Sequence, residues 1–243
     1  MIVHNVSQGT AAWLKLRSGI PTASNFHKIW TPGGKLSKQA ESYMSELLAE
    51  WIVGHPFEAE QTKWMERGTT FEAEAVKAYE FQQDADTQAV GFITNDSGTI
   101  GASPDRLVGD KRLLEIKCPK HGTHVNYMLT GEVESDYFPQ LQGQLWIAER
   151  EGVDIVSYHP EMGHVIIPVK RNDHYIAALS QAIESFVDVM VTKRAELERR
   201  YGPFVRLEAK EPDADPFGID EGDVDLIWAN AQRALNADSF EMQ

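Results

Sequence analysis

The 243-residue chain reads as an α/β fold, a central mixed β-sheet flanked by helices. Three observations predict it. Apolar residues recur at helical spacing over 37–53, 70–82, 137–150 and 173–201. Short runs of strand character, bounded by Gly, Pro and Asn, fall between them. The resulting order of α, β-meander, α, ββ, α is that of helices laid on a mixed sheet.

Each element has its own signal. Residues 11–18 form a short helix ended by Gly19, and Thr22-Ala23-Ser24 can cap a second short helix over 24–30. Thr31-Pro32-Gly33-Gly34 is a loop. Tyr43, Leu47, Leu48, Trp51 and Ile52 share one helical side, and His55-Pro56 ends that run. Gly68 precedes Thr69-Thr70, an N-cap for a helix carrying Phe71, Ala75, Ala78 and Tyr79. Two strands over 88–94 and 99–103 flank the turn Asn95-Asp96-Ser97-Gly98. A third strand follows Pro104, Gly109-Asp110 turns the chain into a fourth over 113–117, and Pro119 stops it. Leu141, Leu145, Trp146 and Ala148 mark the helix at 137–150; strands at 153–158 and 164–169 follow, and then the long amphipathic helix 173–201. No internal repeat is present.

Composition narrows the class. With 42% apolar residues the chain can bury a full core and is not a disordered segment. Its one cysteine, Cys118, excludes a disulfide framework and a multi-thiolate metal site, and reads as a small buried apolar residue. Met1 to Val6 show no charged start followed by an apolar core, and no apolar run nears the roughly 18 residues of a membrane span. A soluble cytoplasmic protein with no membrane partner is expected. The net charge of −14 is unevenly spread: residues 1–40 carry Lys15, Arg17, Lys28, Lys35 and Lys38 with no acid, whereas 207–243 carry ten acids against Lys210 and Arg233. A basic N-terminal patch on an acidic body can focus a polyanion in one place and repel it elsewhere; chance clustering in a soluble protein gives the same pattern.

The chemistry concentrates in one segment, Ser103-Pro104-Asp105 followed by Leu114-Glu115-Ile116-Lys117-Cys118-Pro119. Side chains alternate along a strand, so Glu115 and Lys117 share one face while Leu114, Ile116 and Cys118 share the other. Two charges beside apolar neighbours are costly unless they are paired or bind something. Alone, Glu-x-Lys is more simply an edge-strand salt bridge. A hairpin that returns Asp105 beside Glu115 changes the balance, because two convergent carboxylates suit Mg²⁺, a hard ion held by one or two carboxylates plus waters and phosphate oxygens. Lys117 beside them can orient an attacking water or neutralise transition-state charge.

Pro104-Asp105 with Glu115-Ile116-Lys117 resembles the PD-(D/E)XK nuclease signature. Flanking segments resemble its lambda exonuclease branch, the YqaJ-like viral recombinases: Gln8-Gly-Thr-Ala-Ala-Trp13-Leu-Lys-Leu-Arg17-Ser-Gly-Ile-Pro-Thr22-Ala-Ser24, Gly68-Thr-Thr-Phe-Glu72, and Tyr137-Phe-Pro-Gln140-Leu-Gln142. They occur in the family's order across about residues 8 to 200. The resemblance implies a restriction-endonuclease-like core, read as one nuclease domain over 1–205; the shift to Asp, Glu, Pro and Ala marks an acidic extension at 206–243, without a family counterpart, carrying a short helix (224–235) suited to a subunit contact. It implies Asp105, Glu115 and the Ile116 carbonyl as metal ligands, Lys117 as the catalytic lysine, Glu72 as a helix-borne acid supporting the metals, and Gln140 as the glutamine lining the site. Two Mg²⁺ ions are implied, with Mn²⁺ a substitute. Arg17 and Ser24 match a pocket for a terminal 5′-phosphate, which Thr22, Trp13 and Lys28 adjoin. A guanidinium fork suits phosphate, and a helix N-terminus adds N–H groups.

The implied activity is processive 5′-to-3′ digestion of one strand of linear duplex DNA from 5′-phosphorylated ends. The product is a 3′ single-stranded overhang for recombination. The implied setting is a homotrimeric ring around DNA, a single-strand annealing partner, and a phage or prophage origin in a bacterial host cell. Arg106 departs from the family, which often has a small residue there; it could contact DNA phosphate or compensate the local negative charge.

Blander readings stand beside these. Glu72 can be a solvated helix residue and Ser24 only a cap. Trp13, Trp30, Trp51, Trp64, Trp146 and Trp228 are core or interface residues before they are base-stacking platforms, Trp13 being the one worth testing. The eight histidines have no ligand spacing. A PD-(D/E)XK endonuclease of restriction or repair type, or a catalytically inactive DNA-binding module, are the competing functions. A nuclease class built on a cysteine cluster is excluded by the lone Cys118.

Overall fold

The computed structural model describes residues 1–57 and 63–204, with the backbone alone over 63–70. The acidic extension at 206–243, the boundary at 205 and the side chains of Trp64 and Trp228 lie outside the described residues. In chain order the elements are β1 (Ile2–His4), α1 (Ala11–Arg17), a 3₁₀ helix (Ala23–Lys28), α2 (Ala40–Val53), α3 (Lys63–Gln83), β2 (Thr87–Ala89), β3 (Phe92–Thr94), β4 (Gly101–Ala102), β5 (Arg106–Val108) and β6 (Arg112–Lys117). There follow α4 (His121–Thr130), a 3₁₀ turn (Ser135–Tyr137), α5 (Phe138–Ile147), β7 (Gly152–His159), β8 (Gly163–Lys170) and α6 (Asp173–Tyr201).

The expected mixed sheet is present, with five strands in the order β2-β5-β6-β7-β8. Only β6 and β7 run parallel, and α4 and α5 supply the crossover that a parallel pair needs. A second sheet of three strands, β1-β3-β4, splits the strand expected over 88–94: Thr87–Ala89 joins the large sheet and Phe92–Thr94 the small one. The break is Gly91, where a Cβ would stand 1.8 Å from the Val6 carbonyl oxygen, so only glycine lets β1's exit pass that close. β1 itself carries no local signal and forms by pairing with β3 across 90 residues of chain.

Two helix boundaries differ from expectation. α3 begins at Lys63 and runs through Gly68-Thr69-Thr70, so these residues do not start it. A glycine inside a helix costs about 1 kcal/mol, an amount that a helix of 21 residues absorbs. Thr22 occupies the N-cap of the 3₁₀ helix but makes no side-chain cap bond, and Ser24 lies within that helix, so Ser24 is not its cap.

The sheet divides two cores. Leu113, Val153, Ile155 and Ile167 face the larger one with α2, α5, α6 and the 3₁₀ helix. Leu114, Ile116 and Val156 face Ala75, Val76 and Tyr79 of α3. β6 therefore sends Leu113, Glu115 and Lys117 to the α5 side and Leu114 and Ile116 to the α3 side, as its alternation requires.

Candidate active site

Asp105 stands at the mouth of β5, whose antiparallel register sets Arg106 opposite Leu114. One step back along β5 and one step forward along β6 set Asp105 opposite Glu115, on the same face. Asp105 Oδ2 accepts the Ile116 N–H at 2.6 Å, just beyond the end of the β5–β6 ladder, whose first pair is Arg106 with Leu114. Burial pushes the Asp105 carboxyl well above the ordinary carboxylate range, and the charge of Glu115 pushes the same way; the Ile116 N–H and Lys117 pull back, and Glu72 adds a further push upward.

Glu115 is 4% exposed, and both its oxygens are occupied. Oε1 accepts Lys117 Nζ at 2.8 Å and Gln140 Nε2 at 2.7 Å, and Oε2 accepts Gln144 Nε2 at 2.8 Å. Lys117 also lies 4.7 Å from the centroid of the Tyr137 ring, a cation–π contact. Burial works against the charge on Lys117, but Glu115 and then Asp105 outweigh it and raise its pKa above that of an ordinary lysine. The lysine therefore remains an ammonium throughout the physiological range.

A second cluster adjoins the first. Arg17 Nη1 donates to Ser103 Oγ at 2.9 Å and Nη2 to Ser24 Oγ at 3.4 Å, while its guanidinium lies 4.1 Å over the Trp13 ring. Trp13 Nε1 donates to the Gly91 carbonyl and to Ser103 Oγ, both at 3.0 Å. Thr22, 3% exposed, places its hydroxyl 3.2 Å from that of Ser24. A bridge between Thr22 and Gly101 holds this segment to β4, two residues before Ser103. Burial draws the Arg17 pKa down, against small opposing effects of Tyr43 and Glu50, yet a guanidinium keeps its charge through such a shift. The small sheet thus carries a cationic, hydroxyl-lined cluster and the large sheet the acids. The link Ser103-Pro104-Asp105 joins them.

Other expected site residues lie apart from these clusters. Arg106 shares the face of Leu114, towards α3 and away from Asp105 and Glu115; its Nε is buried with no hydrogen-bond partner. It does not neutralise the paired carboxylates from beside them. Lys28 pairs with Glu46 at 3.2 Å and lies 4.9 Å over the Tyr43 ring, outside the hydroxyl cluster. Glu72, half-buried on α3, acts on Asp105 through its charge. Ser103, Gln144 and Tyr137 are additions. Gln144 was readable, since it stands one helical turn from Gln140 and shares its face. Ser103 was readable as the residue two before Asp105, but its link to Arg17 spans 86 residues and leaves no local signal.

The donor set fits a hard divalent cation. Two carboxylates that oppose each other's ionisation sit together, the Ile116 N–H satisfies only one oxygen of Asp105, and all the donors are oxygen. Among the described residues no group of three or more His, Cys, Asp or Glu is placed to hold a metal, and Mg²⁺ is commonly held by one or two carboxylates with waters and phosphate oxygens.

The model of the YqaJ-like viral recombinase domain matches residues 12–151, a span that contains every candidate site residue. The chain is similar to the solved alkaline exonuclease LHK-Exo from Laribacter hongkongensis, at 30% identity over 78% of this chain and 97% of that one, with a TM-score of 0.71. LHK-Exo in complex with dAMP matches equally, with a TM-score of 0.71. A phage-related exonuclease from Haemophilus somnus 129PT shares the fold at 17% identity over 73% of this chain and 96% of that one, with a TM-score of 0.59. No curated protein matches the chain. No helix among the described residues is long and apolar enough to cross a membrane.

Proposed function

Since the chain belongs to the YqaJ-like viral recombinase family, we propose that it is a Mg²⁺-dependent exonuclease that degrades one strand of linear duplex DNA from a 5′-phosphorylated end. One observation carries this reading: the Arg17–Ser24–Ser103 cluster lies two residues upstream of Asp105 on the same link, so an end-phosphate site and a hydrolytic site share one piece of backbone. An endonuclease needs no such neighbour. Similarity to an alkaline exonuclease and to a phage-related exonuclease supports the same class.

Asp105 and Glu115 would hold the cation, together with the Ile116 carbonyl, which faces the same edge as the N–H bonded to Asp105 because both groups of an extended residue point to one neighbouring strand. Bound there, Mg²⁺ lowers the pKa of water and stabilises the leaving oxygen; Mn²⁺, with the same octahedral preference, would substitute. Lys117, fixed between Glu115 and Tyr137, presents a permanent positive charge to the phosphodiester and orients the attacking water. Gln140 supports Glu115, and Glu72 adds negative charge behind Asp105. Arg17 takes the terminal phosphate through its fork, with the Ser24 and Ser103 hydroxyls as further donors, and Trp13 fixes the guanidinium from one side. Thr22 orients the Ser24 hydroxyl. Processive 5′-to-3′ digestion within a homotrimeric ring, feeding a single-strand annealing partner in phage recombination, completes the proposal.

The test uses end-labelled linear duplex and closed circles with Mg²⁺. Digestion is expected from 5′-phosphorylated ends, leaving 3′ overhangs and intact circles, and Lys117→Ala is expected to abolish it. Efficient cutting of circles would replace this reading with an endonuclease. Full turnover by Lys117→Ala would show that the centre lies elsewhere.

A further inference from the structure

We infer that Glu50 and Arg194 are positioning residues for the end-phosphate cluster: they hold Gly19 from two sides and so fix Arg17, at the end of α1, relative to Ser24. The inference rests on the 5′-phosphate reading above. Gly19 is buried and adopts a left-handed conformation, φ +73°. Buried peptide groups need partners, and two side chains of opposite charge supply them here. The Gly19 N–H donates to Glu50 Oε2 at 2.9 Å, and the Gly19 carbonyl accepts Arg194 Nη2. Glu50 comes from α2 and Arg194 from α6. The Ser18 hydroxyl adds a bond to the Glu50 carbonyl at 3.3 Å. The fit is close: a Cβ at Gly19 would stand 2.9 Å from Trp51 Cβ, and the Arg194 guanidinium lies 5.2 Å from the centroid of that Trp51 ring. Burial pushes the Glu50 pKa upward, and the bond from the Gly19 N–H is the strongest influence holding it down, as expected of a bond made to the charged form.

The hold on Gly19 matters because α1 has no buried residue of its own. Trp13 pins the helix at one point, through its bonds to the Gly91 carbonyl and Ser103 Oγ. Gly19, two residues beyond the last residue of α1, pins it at the other. Past the turn the chain is fixed independently. The Pro21 carbonyl accepts the Gly101 N–H at 3.1 Å, Thr22 bridges to Gly101, and Ala23 and Phe26 are buried. Ser24 is therefore placed by β4 and the core, whereas Arg17 is placed by the two pins of α1. The bond from Arg17 Nη2 to Ser24 Oγ is already long at 3.4 Å, so a small shift at Gly19 separates the two groups. A terminal phosphate has to meet both at once, and a guanidinium fork recognises it only in a defined geometry. The acids that would carry hydrolysis lie on other elements, so the effect falls on the choice of end.

The experiment compares initial digestion rates by the full chain, with Mg²⁺, on linear duplexes that differ only in a 5′-phosphate or a 5′-hydroxyl. The ratio of the two rates is insensitive to a loss of folded protein, which lowers both alike. The wild type is expected to favour phosphate and Arg17→Ala to bring the ratio to unity. Glu50→Met removes the acceptor at similar volume and is expected to lower the ratio about fivefold, the factor that one hydrogen bond of about 1 kcal/mol supplies. Glu50→Gln keeps an acceptor oxygen and is expected to restore the ratio. Arg194→Met removes the donor to the Gly19 carbonyl and is expected to lower the ratio in the same direction. An unchanged ratio in Glu50→Met or in Arg194→Met, or a Glu50→Gln as impaired as Glu50→Met, overturns the inference and spares the pocket, which Arg17→Ala tests separately. A wild type that digests both ends alike overturns the pocket reading and this inference with it. If Glu50→Met does not fold, Glu50→Asp withdraws the acceptor by one methylene and must lower the ratio, or the inference fails.

Discussion

Asp105 and Arg17 carry opposite electrostatic loads, and each yields a residue-scale prediction. Burial and the neighbouring Glu115 raise the Asp105 pKa, so the folded protein binds this proton more tightly than the unfolded chain does. Ionising Asp105 therefore opposes folding. The penalty is absent below the ordinary carboxylate pKa of about 4, grows as pH rises towards the folded value, and is complete above it. Asp105→Asn keeps an acceptor for the Ile116 N–H and removes the charge. It should melt several degrees above wild type at pH 8 in chelator, converge with it near pH 4, and have no nuclease activity; each kcal/mol is worth about 2–4 °C in a domain of this size. Mg²⁺ should narrow the gap by stabilising only the wild type. A variant less stable than wild type at pH 8 would contradict the assignment of Asp105 as a strained acid. Arg17 is the converse, a half-buried cation held by hydroxyls and an aromatic ring. Arg17→Ala should erase the preference for 5′-phosphorylated over 5′-hydroxyl ends while leaving Mn²⁺ binding intact, and should reduce the slope of log affinity against log salt by about 1. Equal loss on both kinds of end would remove Arg17 from the phosphate site.

Elements place these residues, and one close junction among them lies between α5 and the 3₁₀ helix. Gly143 permits it: a methyl there meets the fully buried Phe26 ring, which has nowhere to go. Gly143→Ala should cost about 1–3 kcal/mol as overpacking and lower the melting temperature accordingly. Because the displaced helix carries Ser24, end selectivity should fall with it. Adding Phe26→Leu should recover part of both losses through the coupling expected of touching residues, and purely additive losses would show that the contact is not the cause. The hairpin from Asp105 to Lys117 and the helix at 173–201 were legible in the sequence, because each rests on local periodicity and a turn or cap close by. α4 was not legible. Its residues, His121-Gly122-Thr123-His124-Val125-Asn126, are weak helix formers, and the helix stands because His124 and Tyr127 bury themselves, with His124 bonded to Ser157 of β7 at 2.8 Å. The split of 88–94 between two sheets escaped for the same reason, since pairing partners distant in sequence decided it. The acid pair was readable, as its spacing is local; the Ser103–Arg17 link was not.

At the scale of the whole molecule the difficulty is charge. A protein of net charge −14 repels DNA over most of its surface, yet the proposed activity holds a duplex for many turnovers. The five cations and absence of acids in residues 1–40 place the attractive field on the segment that bears Arg17, Ser24 and the 3₁₀ helix. A single copy would hold DNA on that patch alone, and raised salt would release it readily. Several copies turned inward would gather their basic segments around one duplex and direct the acidic remainder to solvent, so topology rather than attraction would retain the substrate. The proposed homotrimer makes two coupled predictions. Light scattering should give three times the 27.3 kDa chain mass at working concentration. After initiation, an excess of heparin should leave digestion of already engaged duplexes running while it blocks new starts, even at salt that prevents initial binding. A monomer mass together with immediate arrest by heparin would mean that the basic segment holds DNA by charge alone, and the enclosing ring would be wrong.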